Sequence, residues 1–376
     1  MIKTIVIFGT RPEAIKLAPV IFCLRENADL FDTKVCVTGQ HSSMLYSVLD
    51  VFDIKPDFDF EIMSEGQTLF DVTTAVLRKM ERLLDAEKPD LIIVQGDTTT
   101  AFAASLSAFY KKVKIAHVEA GLRTNDKYSP FPEEINRRIT SLLADFHFAP
   151  TQNSKDNLLK EVVKEESISV TGNTVIDALK YAIEIINKRN IEIPQLDEAK
   201  LKNKKLILVT GHRRESFGEG FQNICSALKE IALKYKDEIE IVYPVHLNPN
   251  VQKPAYSILG NIENINLIPP LDYLPFVKLM KMSYLILTDS GGIQEEAPYL
   301  KKPVLVMRET TERPEGVIAG TCRLVGTETD KIIAETEKVL FNQAEYDKMA
   351  SSVNPYGDGN AAEKIIDFLK NNFKSI

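Results

Sequence analysis

The sequence lacks the features that place a chain in a membrane or on nucleic acid. No stretch of it approaches the ~18 apolar residues of a membrane-spanning helix. The apolar run in MIKTIVIFG, at the N-terminus, is too short for the core of a signal peptide. Acidic residues outnumber basic ones, 53 against 46, and a net charge of −7 argues against nucleic acid as the main partner. We therefore expect a cytoplasmic protein that binds neither membrane nor nucleic acid.

The usual signatures of cofactors and covalent catalysis are also missing. The four cysteines are scattered without a CxxC pair, which is typical of a reducing compartment without a disulfide framework. The five histidines show no metal-ligand spacing, so we expect no catalytic metal and no cofactor. Neither a P-loop nor a GxGxxG fingerprint is present, which leaves ATP and NAD poorly supported. A GxSxG nucleophile motif is missing as well.

What the sequence does contain is a series of short, continuous apolar runs separated by helical patterns. IKTIVIFG, DLIIVQGD, KLILVTG and YLILTDSGG are examples, and each half of the chain has about six. Continuous apolar runs indicate strands buried on both faces of a parallel sheet, and their alternation with helices predicts an α/β fold. A length of 376 residues favours two domains. We therefore predict two Rossmann-like, doubly wound domains that face a central cleft.

The boundary between the domains is predicted near Gly172. The charged, proline-containing stretch NIEIPQLDEAKLKNKK follows the next helical pattern and looks like a surface connection. We expect an N-terminal domain over residues 1–172 and a C-terminal domain over 173–359. The final amphipathic pattern, at about 360–376, is expected to pack back on the first domain.

Polar residues follow most of the predicted strands. In open parallel sheets, ligands bind outside the carboxyl ends of the strands, so these residues should line the cleft. They are Gly9-Thr10-Arg11, Gln40-His41, Gln95-Gly96-Asp97, His117-Val118-Glu119, Gly211-His212-Arg213, His246 and Asp289-Ser290-Gly291-Gly292.

The segment TDSGGIQEEA predicts a nucleotide site. Ser290, Gly291 and Gly292 stand between a strand and a helix, where backbone N–H groups and the helix dipole favour a phosphate. Glu296 follows one helical turn later and could accept hydrogen bonds from the hydroxyls of a ribose. The alternative is a tight turn followed by a solvated pair of glutamates.

Cations follow two other strands. Arg11 and Lys16 come after the first strand and suit a diphosphate or sugar hydroxyls, although an ordinary turn with Pro12 opening the helix explains the same residues. His212, in GHRRES, can donate to a diphosphate or act as an acid, and the alternative is a histidine satisfied by backbone groups.

Carboxylates at the ends of buried strands are costly unless they are paired, capping or catalytic. Asp97 and Glu119 both follow apolar runs. Asp97 could be the N-cap of a helix, and Glu119 could pair with Arg123. Glu133 opens a helix beside a second glutamate, and favourable interaction with the helix dipole explains one of the two.

Nine motifs in order between Ile5 and Thr327 resemble the bacterial non-hydrolysing UDP-N-acetylglucosamine 2-epimerases. They are GTRPEAIKLAPV, QGDTTTA, HVEAGLRT, PFPEEINRR, TGNTVIDAL, TGHRRESFG, LTDSGGIQEEAP, KPVLVMRETTERPE and AGTCRLVGT. The resemblance implies a GT-B architecture, a homodimer, and interconversion of UDP-N-acetylglucosamine (UDP-GlcNAc) with UDP-N-acetylmannosamine (UDP-ManNAc), a precursor of cell-surface polysaccharide.

The resemblance also implies roles for individual residues. The UDP-sugar would be held by Arg11, Lys16, His212, Ser290, Gly291, Gly292, Glu296 and Arg313, with Leu271 and Phe276 in the uridine segment. The catalytic group would be Asp97, Glu119, Glu133 and His212. This chain departs from the family at Leu271, where relatives can carry a polar residue. It also departs at a regulatory site of some relatives, since it keeps Gln40 but has Ser43 and Gly66 at the other two positions.

The chemistry requires more than one acid. The C2 proton of the sugar is not acidic, so we expect elimination of UDP to a 2-acetamidoglucal, followed by return of a proton to the other face of C2. Which carboxylate serves which face stays open. The alternatives are a hydrolysing epimerase that releases free N-acetylmannosamine and UDP, a GT-B glycosyltransferase, and a UDP-sugar sensor without catalysis.

Overall fold

The computed structural model describes residues 1–39, 42–64, 66–201 and 203–373, without the side chains of 42 and 43. The chain divides into two compact units. Unit 1 consists of Met1–Lys180 and Gly357–Ile376, and unit 2 of Tyr181–Tyr356. Both units are built on parallel sheets, which confirms the predicted α/β class. None of the helices in the described ranges is long and apolar enough to cross a membrane.

The described part of unit 1 contains a seven-stranded parallel sheet in the order β3-β2-β1-β4-β5-β6-β7. The strands are β1 Ile2–Phe8, β2 Phe31–Val37, β3 Phe58–Asp59, β4 Leu91–Gln95, β5 Lys114–Val118, β6 Phe146–Ala149 and β7 Ile168–Val170. The helices are α1 Arg11–Glu26, α2 Ser42–Val51, α3 Leu69–Glu87, α4 Thr99–Tyr110, α5 Glu133–Leu143, α6 Gln152–Lys160 and α7 Thr174–Lys188, which continues into unit 2.

The described part of unit 2 contains a six-stranded parallel sheet in the order β10-β9-β8-β11-β12-β13. The strands are β8 Lys205–Thr210, β9 Ile239–Pro244, β10 Ile265–Ile268, β11 Leu285–Thr288, β12 Val304–Val306 and β13 Cys322–Leu324. The helices are α8 Glu219–Lys234, α9 Pro249–Leu259, α10 Tyr273–Met282, α11 Gly291–Glu296, α12 Pro314–Ile318, α13 Thr329–Phe341 and α14 Gln343–Ala350.

The central strands explain why the apolar runs are continuous. Every residue of β4 is buried, as are all four residues of β11, because helices cover both faces of each sheet. In each sheet the strand order reverses at one point, between β1 and β4 in unit 1 and between β8 and β11 in unit 2. Ligands bind at such reversal points, so the loops that follow these four strands are the places to look for a site.

The last helix, α15 Ala361–Asn372, packs against α1 in unit 1. Phe368 makes edge contacts with the rings of Phe146 and Phe148, and Lys114 Nζ donates to the carbonyl of Phe373 over 2.7 Å. Asp177 of α7 is buried at the N-terminus of α15, and its Oδ1 accepts from the backbone N–H of Ala362 over 2.8 Å. Burial raises the pKa of Asp177 to about 6, although the backbone donors of α15 oppose the shift.

Replacing Asp177 by Asn should change how stability depends on pH. The pKa of Asp177 is higher in the folded chain, about 6, than its ordinary 3.8, so its contribution to stability is present at low pH and is lost as pH rises through 6. Asp177→Asn keeps an acceptor for Ala362 but does not titrate. Between pH 5 and 7.5 the variant should gain about 1.4 kcal/mol relative to the natural protein, measured by urea unfolding. Parallel pH curves for the two proteins would contradict this.

Candidate active site

A buried glutamate organises the loop that follows β1. Glu13 Oε2 accepts from the backbone N–H groups of Gly9 and Thr10 over 3.0 and 2.8 Å, and its Oε1 accepts from Thr98 Oγ1 over 2.7 Å. Burial raises the pKa of Glu13, and these hydrogen bonds oppose the shift. Glu13 therefore ties the loop after β1 to the loop after β4. The backbone N–H groups of Gly9 and Thr10 are therefore occupied by Glu13.

Glu119 follows β5 in a conformation that only glycine adopts freely, with φ +63°. Both oxygens of its buried carboxylate lie 2.7 Å from Lys16 Nζ. Asn173 Nδ2 donates to Oε1 over 3.0 Å, and the amide of Gln95, at the end of β4, donates to Oε2. The structure thus brings two predicted site residues, Glu119 and Lys16, into direct contact. It adds the amide of Gln95, which was expected near the site, and that of Asn173, which was not.

Arg123 does not pair with Glu119, so that alternative is wrong. Its guanidinium instead binds Glu161, with Nε–Oε1 and Nη2–Oε2 distances of 2.9 and 2.7 Å. The pairing leaves the carboxylate of Glu119 to Lys16 and the amides.

Asp97 follows β4 and does not cap α4. The N-cap is Thr98, whose side chain accepts from the backbone N–H of Ala101, so the capping alternative for Asp97 is wrong. The Asp97 carboxylate instead accepts from Arg137 Nη2, and Asn136 Nδ2 donates to the Asp97 carbonyl over 3.0 Å. Both partners lie on α5, so Asp97 is held by the helix that Glu133 opens.

The two glutamates at the start of α5 have different environments. Glu134 is fully buried and accepts from the backbone N–H groups of Thr124 and Asn125 over 3.1 and 3.2 Å and from Arg138 Nε over 3.1 Å. Glu133 is half-buried, and its buried Oε2 has no hydrogen-bond partner within the described ranges. A purely structural role therefore describes Glu134. Glu133 retains a carboxylate oxygen that can accept a hydrogen bond from a ligand.

His117, the histidine of HVEAG, belongs to the core. It is fully buried, and its Nε2 lies 2.7 Å from the carbonyl of Gly96, to which it donates. Burial lowers the pKa of His117 to about 3, so the ring is neutral near pH 7. Its role is to join the loops after β4 and β5.

In unit 2, two guanidinium groups lie beside the predicted phosphate loop. Ser290 is the N-cap of α11, and Gly291 and Gly292 form its first turn. A Cβ atom added at Gly291 would lie 3.8 Å from Arg213 Nη2 and 4.0 Å from Arg313 Cζ. A diphosphate at this turn would meet backbone N–H groups and two positive charges. Glu296 completes the same helix, with its Oε1 3.6 Å from the Cβ position of Gly292.

Acidic side chains hold both arginines in place. Arg313 Nε donates to Glu295, and Arg213 Nη1 lies 3.5 Å from Glu312 Oε1. Glu312 also accepts from Arg308 Nη1 over 2.7 Å. The pKa of Glu312 falls to about 2, since these arginines outweigh the opposing effect of burial. Glu295 and Glu312, which hold these arginines, were not assigned to the site from the sequence.

His212 follows β8, and its ring lies against two side chains. Its ring stacks on that of His246, with centroids 5.2 Å apart and planes 12° apart. Its Nδ1 lies 3.6 Å from Asp289 Oδ1. Partial burial lowers the pKa of His212; His246 and Arg213 add to the effect, and Asp289 opposes it. The ring thus contacts two side chains, His246 and Asp289, rather than backbone groups, so the alternative of a ring satisfied by backbone groups does not describe this histidine.

The remaining predicted ligand residues are less constrained. Leu271 is buried just before α10, so it could meet a base only through its backbone, whereas Phe276 in the first turns of α10 is half-buried. Gln40, His41 and the side chain of Ser43 lie outside the described residues. Gly66 has φ +72°, and no atom of the described part of the chain lies within 4 Å of an added Cβ. Among the described residues, no group of three His, Cys, Asp or Glu side chains could hold a metal ion.

Comparison with known proteins identifies the family. The family model described as UDP-N-acetylglucosamine 2-epimerase matches residues 24–370. The chain is 56% identical over 379 residues to the UDP-N-acetylglucosamine 2-epimerase of Campylobacter jejuni, covering 98% of each chain. It is 54% identical over 377 residues to that of Escherichia coli K12, covering 98% of this chain and 99% of the relative.

A solved structure shows the same fold. The crystal structure of UDP-GlcNAc 2-epimerase from Neisseria meningitidis, bound to UDP-GlcNAc, matches with a TM-score of 0.90 and 50% identity. The match covers 98% of this chain and 100% of the Neisseria chain. The resemblance expected from the sequence is therefore confirmed, and the chain belongs to the UDP-N-acetylglucosamine 2-epimerase family.

Proposed function

We propose that the protein interconverts UDP-GlcNAc and UDP-ManNAc by reversible inversion at C2, without releasing the free sugar. Membership of the family and the UDP-GlcNAc bound to the Neisseria relative support the substrate. The observation that carries the chemistry is Glu119. A buried carboxylate in a backbone conformation costing about 1–3 kcal/mol, with three donors aimed at it, has a geometry typical of active sites.

The reaction divides into elimination and addition. The bond between C1 and the UDP oxygen breaks, the C2 proton passes to a carboxylate, and the electron pair of the C2–H bond forms the C1=C2 double bond of 2-acetamidoglucal. UDP leaves as an anion that the side chains of His212 and Arg313 and the N–H groups of Gly291 and Gly292 stabilise. UDP then adds back to C1 after a proton has reached C2 from the opposite face.

Two faces require two proton carriers, and unit 1 supplies three candidates. Lys16 and two amides fix the orientation of Glu119, and Arg137 and Asn136 fix Asp97. Glu133 stands one helical turn before Arg137 with a buried, unoccupied acceptor oxygen in the described structure. Because these partners hold the carboxylates in a fixed orientation, less conformational entropy is lost when the reacting geometry forms. We assign this contribution to the partners.

The identity of the products tests this proposal. Purified protein is incubated with UDP-GlcNAc and followed by ¹H and ³¹P NMR, with the Asp97→Asn variant as the control for contaminating activity. We expect UDP-ManNAc to appear and the mixture to reach an equilibrium that is also approached from UDP-ManNAc. Accumulation of N-acetylmannosamine and UDP would instead identify a hydrolysing epimerase, and an unchanged substrate would reject catalysis.

The same proposal includes a homodimer. Helix α4 packs between α3 and α5, and these three helices carry large exposed apolar side chains. Phe70 is 84% exposed and Leu142 is 81% exposed, and Phe109 and Tyr110 lie exposed on α4. The family resemblance implies a homodimer, and we propose that the second copy covers these side chains. Light scattering should give the mass of two chains, and Phe70→Ser with Leu142→Ser should reduce it to one. A natural protein of single-chain mass would contradict the dimer.

The cysteines bear on the cellular compartment of the protein. All four cysteines are free and buried. Thiols of this kind are compatible with the reducing conditions of the cytoplasm, which is the location we assign to the protein.

A further inference from the structure

One buried carboxylate ties together the two loops of unit 2 that bear the predicted diphosphate ligands. Asp289 stands at the end of β11, immediately before Ser290, and is completely buried. Its Oδ2 accepts from the backbone N–H groups of His212 and Arg213 over 2.6 and 2.7 Å. The loop after β8 is thereby held against the loop after β11, at the point where the strand order of the sheet reverses.

The second oxygen of Asp289 faces the His212 ring. Oδ1 is buried without a hydrogen-bond partner within the described ranges, and it lies 3.6 Å from His212 Nδ1. The ring is held from one face by its stack on His246. A small rotation of the imidazole brings an Nδ1–H proton to Oδ1 and satisfies the oxygen. Because the two nitrogens point away from each other, this orientation leaves Nε2 directed away from the carboxylate.

We propose that Asp289 is a positioning residue for the reaction: it holds His212 with Nδ1–H towards the carboxylate, so that Nε2 is presented to the diphosphate. The proposal rests on the function proposed above and deepens it by assigning the group that orients His212. Asp289 would not touch the substrate itself.

The charges around the ring explain why a carboxylate is needed there. Burial, His246 and Arg213 all disfavour the imidazolium form of His212, and Asp289 favours it. When UDP leaves C1, negative charge develops on the diphosphate, and an imidazolium Nε2–H stabilises that charge better than a neutral ring. A carboxylate on the opposite side of the ring keeps the proton on Nδ1 and stabilises the charged form.

The Asp289→Asn variant separates a positioning role of Asp289 from a purely structural one. In Asp289→Asn, the amide oxygen can still accept from the N–H groups of His212 and Arg213, so the two loops stay joined. The amide NH₂ then faces His212 Nδ1, which must become the acceptor, and the neutral proton moves to Nε2. The Asn variant therefore preserves the loop anchor and inverts the tautomer.

Nitrogen NMR of protein labelled with ¹⁵N-histidine reads the tautomer directly. The chain has only five histidines, and the His212→Gln variant assigns the signals of His212. In the ligand-free natural protein we expect the Nδ1–H tautomer when His212 is neutral. In Asp289→Asn we expect the Nε2–H tautomer, a pKa of His212 lower by about one unit, and a kcat for UDP-GlcNAc lower by at least about 10-fold. The alkaline limb of the kcat profile should move to lower pH by the same amount.

Each outcome decides the proposal. An Nε2–H tautomer in the natural protein overturns it without any variant, which covers the case in which Asp289→Asn does not fold. A loss of kcat in the variant without a change in the tautomer or pKa of His212 also overturns it, because a structural role alone gives that result. Asp237→Asn, an exposed carboxylate of unit 2, should leave both readouts unchanged. Because the tautomer is read without substrate, failure of this proposal is distinguishable from failure of the proposed function.

Discussion

Replacing Glu119 by Gln should lower kcat for epimerisation by about 10²–10⁴, because the proposed mechanism assigns to this carboxylate a proton exchange with C2. The same change should also destabilise unit 1. The carboxylate of Glu119 is buried and binds Lys16, whose side chain is 15% exposed. Removing one partner of a fully buried ion pair costs about 3–5 kcal/mol, so the cost here should lie at or below the lower figure. We therefore expect both a loss of rate and a lower midpoint of urea unfolding, measured on the same preparation.

Two companions separate the loss of catalysis from the loss of stability. Glu165→Gln removes a carboxylate of unit 1 whose side chain is 70% exposed, and should change neither quantity. Asp97→Asn should lose kcat on the scale of Glu119→Gln with a smaller effect on unfolding, because the Asp97 side chain is 27% exposed. If Asp97→Asn and Glu119→Gln both kept near-normal turnover, the assignment of these carboxylates would be wrong.

Replacing Gly121 by Ala should destabilise unit 1 by about 3–5 kcal/mol. Gly121 lies in the same HVEAGLRT motif as Glu119, but its expected effect is on stability. The added Cβ would overlap the carbonyl oxygen of Ser154 and lie 2.8 Å from its carbonyl carbon. The backbone at Gly121 has φ +91°, which adds about 1–2 kcal/mol of strain for any other residue. Thermal or urea unfolding of the purified variant measures the effect.

Gly66 provides the matched control for this effect. Its φ is +72°, but no atom of the described residues lies within 4 Å of an added Cβ, so Gly66→Ala should cost only the conformational strain of about 1–2 kcal/mol. Equal losses of stability in the two variants would show that backbone conformation alone, rather than contact with Ser154, requires glycine at position 121.

The strands were predictable because burial on both faces leaves a direct trace in the sequence. Runs such as LIIVQ and LILT are apolar throughout, and they form the central strands β4 and β11. Strand β3, Phe58–Asp59, was not predicted, because a two-residue edge strand requires no apolar run. The clustering of the polar residues that follow the strands was also predictable, because parallel topology brings the loops after neighbouring strands to one edge of the sheet.

The pairing of side chains was less predictable. Glu119 is 103 residues from Lys16 in the chain, so the nearby Arg123 was the more obvious partner, yet that arginine binds Glu161. The N-cap of α4 differs from the predicted Asp97 by one residue, because periodicity does not define a helix start that closely. Glu13 was not singled out, and Asp289 was expected only as one of the polar residues after its strand. Their acceptance of two backbone N–H groups each depends on loop geometry that no sequence pattern records.

The fate of the C2 hydrogen tests the mechanism most directly. UDP-GlcNAc is incubated with the protein in D₂O until the two UDP-sugars reach equilibrium, and each is analysed by NMR and mass spectrometry. Elimination to a glucal, followed by protonation from either face, predicts one deuterium at C2 in both UDP-ManNAc and recovered UDP-GlcNAc. Formation of UDP-ManNAc that keeps its original C2 hydrogen would contradict proton transfer through the carboxylates.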